Sequence, residues 1–271
     1  MFLPENIDLA HSEEYHLSIR LSPDGFSFCI HCPDNPSIFH QQGTPVGNKL
    51  SYTDNIKKLI FDLGFFSQPF KKTTVTLVSP YYTLVPHAFY DKKQVRELFH
   101  FNFHGVDGVL LSDFSSIGEY HLVYPIDEEV HSFLSRNLWN PVFHHHTTPL
   151  LQLFETRQAE NNRRTCFVDF HDRNATIACF AENKLLSVNT FPGINPHDTT
   201  YFIASVWEKQ AFDQTTDTLC LSGDIDSQKT VTDILKKLIR HVDSIELNPG
   251  VILTGEQRRL LPTDMLAALC V

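Results

Sequence analysis

The chain has 271 residues, 42% hydrophobic and 20% charged, a mixture that suits one large or two medium domains with sizeable cores and excludes a disordered chain. A formal net charge of −10 leaves no surplus of lysine and arginine for neutralising phosphates, which excludes a general nucleic-acid binder. The chain holds no apolar run of bilayer length and no basic region followed by an apolar one at its start; with six scattered cysteines that fit a reducing compartment, a cytoplasmic protein without a membrane span is expected.

Residues 17–22 alternate as a strand does, Pro23-Asp24-Gly25 supplies a turn, and residues 26–31 alternate again, which predicts a β-hairpin followed by a third strand at 38–41. Ser51 or Thr53 then caps a helix whose Ile56, Leu59, Ile60 and Leu63 recur at helical spacing and which stops at Gly64. A strand at 74–79 follows. Between 86 and 158 the patterns predict a helix at 92–103, strands at 109–114 and 119–124, a helix at 127–137, a strand at 142–145 and a helix opened by Pro149.

The order then repeats: strand 166–170, turn Asp172-Arg173-Asn174, strand 175–181, turn Glu182-Asn183, strand 185–191, helix 198–212 and strand 218–222. Leu17 and Cys166 are 149 apart, Phe26 and Ala175 are also 149 apart, and Val75 and Leu219 are 144 apart, so the registers support an internal duplication. A helix at 228–241, a short strand at 244–247 and a closing helix at 262–269 complete the chain. Two copies of a strand-strand-strand-helix-strand unit predict an α/β protein of two lobes, each a mixed sheet covered by helices.

In this element order, and in an acid at the end of the first strand of the second copy, Asp169, the chain resembles the actin-like ATPase superfamily, which holds actin, sugar kinases and bacterial cell-division and pilus-assembly actin homologues. More closely it is similar to an uncharacterised bacterial family with this fold, a domain of unknown function. The resemblance implies a duplicated, ribonuclease H-like fold with mixed five-stranded sheets. The first lobe is expected at 14–160, with a subdomain inserted at about 86–145, and the second at 161–271.

Active members of that superfamily carry aspartate-x-glycine at the first strand end of each lobe and glycines near the adenosine. Here the second-lobe position reads Asp169-Phe170-His171, keeping the acid and losing the glycine. The first-lobe position, 149 residues earlier, reads Arg20-Leu21-Ser22 and loses both. Leu221-Ser222-Gly223-Asp224 stands where the adenosine glycines belong. A hairpin grips phosphate with convergent backbone N–H groups at close approach, which glycine permits; Pro23 has no N–H, and a side chain at His171 crowds the anion unless a protonated imidazole attracts it.

Other chemistry is sparse. Cys29-Ile-His-Cys32 is a lone C-x-x-C at a strand end, short of the two further ligands zinc needs and of the helix start that suits thiol exchange. His100 and His104 share a helix face without the glutamate of a metalloprotease, and His144-His145-His146 ends a strand, so neither run is expected to bind metal. Phe65, Phe66, Phe99, Phe101 and Phe103 serve either as core filling or as an apolar patch for a partner. The expectation is a non-catalytic scaffold or interaction module without a cofactor, whose partner is another protein or itself. The alternative is a switch or ATPase that takes ATP and magnesium or another phosphorylated ligand in an inter-lobe cleft, using Asp169, His171, Gly223 and Asp224.

Overall fold

The computed structural model describes residues 3–4, 7–161 and 163–270. The alternating residues at the start form β1 (His16–Ser22), which pairs antiparallel with β2 (Gly25–Cys32), itself paired with β3 (Asn35–Pro45). Ser51 caps α1 (Tyr52–Asp62) by accepting the Asp54 N–H at 3.1 Å, and the chain then returns as β4 (Lys72–Leu77), parallel to β1. Leu17, Ile19 and Leu21 share one face of β1 because strand residues alternate, and there they are buried together with Phe26, Phe28 and Ile30 of β2.

Residues 83–126 form a separate small sheet of β5 (Thr83–Pro86), β6 (Val109–Ser115) and β7 (Tyr120–Ile126), in the order β5-β7-β6. The intervening helix α2 (Val95–Asn102) packs the fully buried Phe99 against Val85 and Val123. After α3 (Glu128–Asn137) comes β8 (Pro141–His145), which pairs parallel with β4 and completes a five-stranded sheet of order β3-β2-β1-β4-β8. The strand predicted at 142–145 was placed at the end of the inserted subdomain. Its hydrogen bonds to β4 make it the fifth strand of the first sheet, and the inserted sheet itself ends at Ile126.

The second copy follows α4 (Thr147–Asn161). It consists of β9 (Thr165–His171), β10 (Asn174–Ala181), β11 (Lys184–Pro192), α5 (Pro196–Lys209), β12 (Thr218–Gly223), α6 (Lys229–Leu238) and β13 (His241–Ser244). Its order, β11-β10-β9-β12-β13, repeats that of the first sheet element for element. Val75 stands beside Ile19 as Leu221 stands beside Val168, so the fourth strands are related by an offset of 146 rather than 144. The helix predicted to 241 stops at Leu238, where Ile239 turns extended, and the last strand starts at His241 rather than 244 because Val242 pairs with Leu219.

Cys166, Val168 and Phe170 face a core closed by Ile203 and Trp207 of α5 and Val231 and Leu235 of α6. On the opposite face Phe167 stacks on Phe154 of α4 at 4.6 Å. Two short helices end the chain, α7 (Gly255–Leu260), opened by a Thr254–Gln257 capping box that the sequence pattern did not single out, and α8 (Thr263–Ala268). The structure divides into two compact units, one running to Thr148 and taking back Pro249–Leu261, the other holding Pro149–Asn248 and the residues from Pro262. Where the sequence places a single boundary at 160, the segment Pro249–Leu261 thus returns to the first unit, with the Ile252 N–H bonded to the Pro36 carbonyl at 2.8 Å.

One carboxylate joins the inserted sheet to the first sheet. Asp113 of β6 is buried and accepts the His145 backbone N–H at 2.8 Å, the Thr148 hydroxyl at 2.5 Å, the Tyr124 hydroxyl at 3.3 Å and the His144 ring Nδ1 at 3.1 Å. His145 in turn donates Nε2 to the Ser79 carbonyl at 3.0 Å. The histidine run is therefore a structural joint. Removing the acceptor leaves several buried donors unpaired, so Asp113→Ala is expected to lower stability by about 3 kcal/mol in urea unfolding, with Asp113→Asn losing less because one oxygen remains.

Candidate functional site

The second-lobe hairpin turns through two residues, Asp172 and Arg173, with φ of 43° and 60°, and closes by pairing His171 with Asn174. Two consecutive positive φ values identify a type I′ turn, whose twist matches that of the flanking strands. Asp169 lies three residues before the turn and does not cap it. Its side chain is 1% exposed on the β9 face opposite the α5 and α6 core, where it accepts the Ser222 hydroxyl of β12 at 2.7 Å and bonds Thr263 of α8.

Register explains these contacts. Thr190, Thr176, Asp169 and Ser222 stand directly opposite one another on β11, β10, β9 and β12, so alternation brings all four side chains to one face in a row across the sheet. The row is hydrogen-bonded: Thr190 to Thr176 at 2.8 Å, Thr176 to the His171 Nε2 at 2.9 Å, and Ser222 to Asp169. Burial pushes the Asp169 carboxyl above the ordinary aspartate range; His171, Thr263 and Ser222 favour its ionised form, and the buried Asp264 of α8 opposes it.

Of the sequence-predicted residues, Asp169 and His171 are brought together on one face of β9. The buried His171 ring spends Nε2 on Thr176 and sets Nδ1 3.5 Å from the Asp172 carboxylate. Gly223 is on the neighbouring strand with φ of +81°, and a β-carbon there would lie 2.1 Å from the Phe170 carbonyl oxygen. The chain's own backbone requires this glycine: it lets β12 close on β9, after which the Asp224 N–H bonds that carbonyl at 2.9 Å. The Asp224 side chain is exposed past the strand end and accepts the Ser227 N–H at 3.3 Å.

The first-lobe hairpin has Arg20, buried, at the place of Asp169, between Ser27 and Thr76 of the adjoining strands. Its turn is Pro23-Asp24, and the Tyr52 hydroxyl at the start of α1 donates to the Ser22 carbonyl at 3.0 Å. Leu21, Pro23, Tyr52, Leu77, Val78 and Ile126 line most of a cavity of about 170 Å³ beside it, small and largely apolar.

The remaining candidates are dispersed. Cys29 and Cys32 are both buried in β2, and burial pushes the Cys29 thiol up to about 12, far from a reactive thiolate. His100 is half-buried on α2 and His104 is exposed beyond it; among the described residues no three His, Cys, Asp or Glu side chains gather as a metal site. Phe65 and Phe99 are core residues, Phe103 is half-buried, and Phe66 and Phe101 are exposed, so the phenylalanines divide between core and surface. Sequence reasoning missed Asp113; its signal was a lone acid in the apolar strand Val109–Ser115.

A protein-family model described as a protein of unknown function, DUF3822, matches residues 4–242. No curated protein matches. Among solved structures, a protein from Bacteroides thetaiotaomicron VPI-5482, described as having an actin-like ATPase fold and unknown function, is similar at a TM-score of 0.84 with 27% identity over 98% of this chain and 99% of that one. A PilM-PilN type IV pilus biogenesis complex is similar at a TM-score of 0.60 with 13% identity over 94% of this chain and 96% of that one, a likeness of fold. No helix among the described residues is long and apolar enough to cross a membrane.

The raised Asp169 carboxyl fixes the sign of a pH effect. In the folded state its ionisation is harder than in the unfolded chain, so its contribution to stability is fully present below about pH 3.9 and is lost as pH rises through the folded value. Asp169→Asn keeps an acceptor for Ser222 and cannot ionise. The stability of the variant relative to the parent is expected to improve as pH is raised from about 4 to 7. Paired urea unfolding curves across that range check it, and a difference independent of pH counts against it.

Proposed function

The chain belongs to the DUF3822 family of proteins of unknown function and has an actin-like ATPase fold, and on that premise we propose that it is a non-catalytic cytoplasmic protein that works as a scaffold or interaction module. The observation that carries this reading is the engagement of Asp169. The one acid kept at a phosphate position is buried and bonded to Ser222 and Thr263 of its own chain. Hydrogen bonds spent inside a protein are not available to order a metal-bound water or a phosphate without leaving buried partners unpaired.

The other hairpin supports the same reading. Arg20 replaces the acid, Pro23 removes an N–H from the turn, and Tyr52 occupies the Ser22 carbonyl. In this reading neither ATP nor magnesium is a cofactor. Work by association is supported instead by the inserted subdomain, whose turns and α2 present Phe89 at 76% exposure, Phe101 at 81% and Ile117 at 67%, large apolar groups that a protein partner or a second copy would cover.

Calorimetry and thermal shift with ATP, ADP and magnesium test the proposal, since a ligand at about 100 times its Kd stabilises the native state by about 2.7 kcal/mol. No saturable shift is expected at millimolar nucleotide. A saturable shift accompanied by phosphate release, both lost in Asp169→Ala, would replace the scaffold with a nucleotide switch.

A further inference from the structure

Cys166 of β9 and Cys179 of β10 stand directly opposite each other in the antiparallel register, and neither is exposed to solvent. Their sulfurs are 3.7 Å apart and share a hydrogen bond. Directly opposed residues on antiparallel strands have Cα atoms about 4.5–5.5 Å apart, inside the about 4.4–6.8 Å that a disulfide accepts, so closing the pair requires the sulfurs to approach without moving the strands. We propose that Cys166 and Cys179 are a redox-sensitive dithiol that a peroxide closes to a cross-strand disulfide, stapling the hairpin that carries Asp169 and His171.

Geometry and chemistry assign the two thiols different roles. Cys179 has Cys166 on one side and, in register on β11, Ser187 on the other; β11 is an edge strand and Ser187 is half-buried, so solvent lies one residue away along this row. The hydrogen bond it shares with Cys166, the Ser187 hydroxyl and the Arg164 charge hold the Cys179 thiol below its ordinary range against burial, whereas the Cys166 thiol is held above it by the same hydrogen bond and by burial. Cys179, one residue from the edge strand along this row, is the nucleophile and Cys166, on the middle strand, the resolving thiol. The enclosed position favours an oxidant as small as hydrogen peroxide over a bulky disulfide.

The steps balance without a further reagent. The Cys179 thiolate attacks one peroxide oxygen, the O–O bond breaks, and the departing hydroxide takes a proton to leave as water, giving a sulfenic acid. The Cys166 sulfur then attacks the Cys179 sulfur; the S–S bond forms, the S–O bond breaks, and a second water leaves. Two thiols are oxidised and one peroxide is reduced to two waters.

The full chain, reduced and then exposed to hydrogen peroxide in native buffer, should be quenched by alkylation under denaturing conditions and mapped by peptide mass spectrometry. A linked Cys166–Cys179 peptide is expected, with a mass loss of about 2 Da, a melting temperature raised by roughly 5 °C, and reversal by dithiothreitol. Cys166→Ser should stop at a sulfenic acid on Cys179 that dimedone traps, and Cys179→Ser should yield neither product. Full alkylation of both cysteines after native treatment, a linkage that appears only in denaturant, or pairing through Cys220 or Cys270 would overturn the proposal. The parent map decides the matter even if a serine variant does not fold.

Discussion

A carboxylate buried on the middle strand of a sheet must find its hydrogen bonds inside the protein, and the second unit is arranged around that constraint. Asp169 takes one bond from the neighbouring strand and another from α8, two elements drawn from distant parts of the chain. Burial alone would cost several kcal/mol for an unpaired ion, so the Ser222 and Thr263 hydroxyls are part of what permits an acid at this place. The row continues through Thr176 and Thr190 to the edge strand. A polar residue on each of four adjacent strands at one level fixes their relative register, because a slip of one residue would move every member to the other face.

The two copies show how one topology accommodates opposite chemistry at an equivalent position. Arg20 and Asp169 occupy the same place on the first strand of their sheets, each flanked by a hydroxyl residue on the strand that runs parallel to it, Thr76 and Ser222. Core positions on the other face stay apolar in both, with Leu17, Ile19 and Leu21 answering Cys166, Val168 and Phe170. The fold is held by the apolar face and the hydrogen-bonded strand order. The polar face carries opposite charges at this position in the two copies while the strand order is kept.

Much of this architecture was legible because it is written locally. Alternation gave the strands, the Ser51 cap and helical spacing gave α1, and the repeated order gave the duplication. Strand partners beyond a hairpin are not written locally. The strand at 142–145 has the same pattern whether it edges an insertion or completes the first sheet, and only its bonds to β4 distinguish the two. Asp169 was legible as an acid before a turn, the commonest context for a capping aspartate. What covers its side chain comes from α8 at the far end of the chain, and so its burial could not be read from its neighbours. Asp113 fails for the same reason, since three of its four donors lie on another sheet and at the start of another helix.

The shape of the second-lobe hairpin turn follows from where the β9–β10 ladder ends. A glycine two residues after the acid would let backbone N–H groups crowd an anion; here that place is the final ladder residue of β9, and the bend is made one residue later by Asp172 and Arg173 in left-handed conformations. Such conformations cost non-glycine residues on the order of 1 kcal/mol each, and they persist where the surroundings over-determine them. The Gly193 N–H supplies one such restraint, bonded to the Arg173 carbonyl at 2.6 Å, and the Asn174 side chain supplies another by donating to the Asp172 carbonyl at 2.9 Å. Both turn carbonyls are thus held by the protein, and His171 is tied to Thr176. A turn braced at these points is held to one shape, with the β9–β10 ladder running through His171 up to the bend.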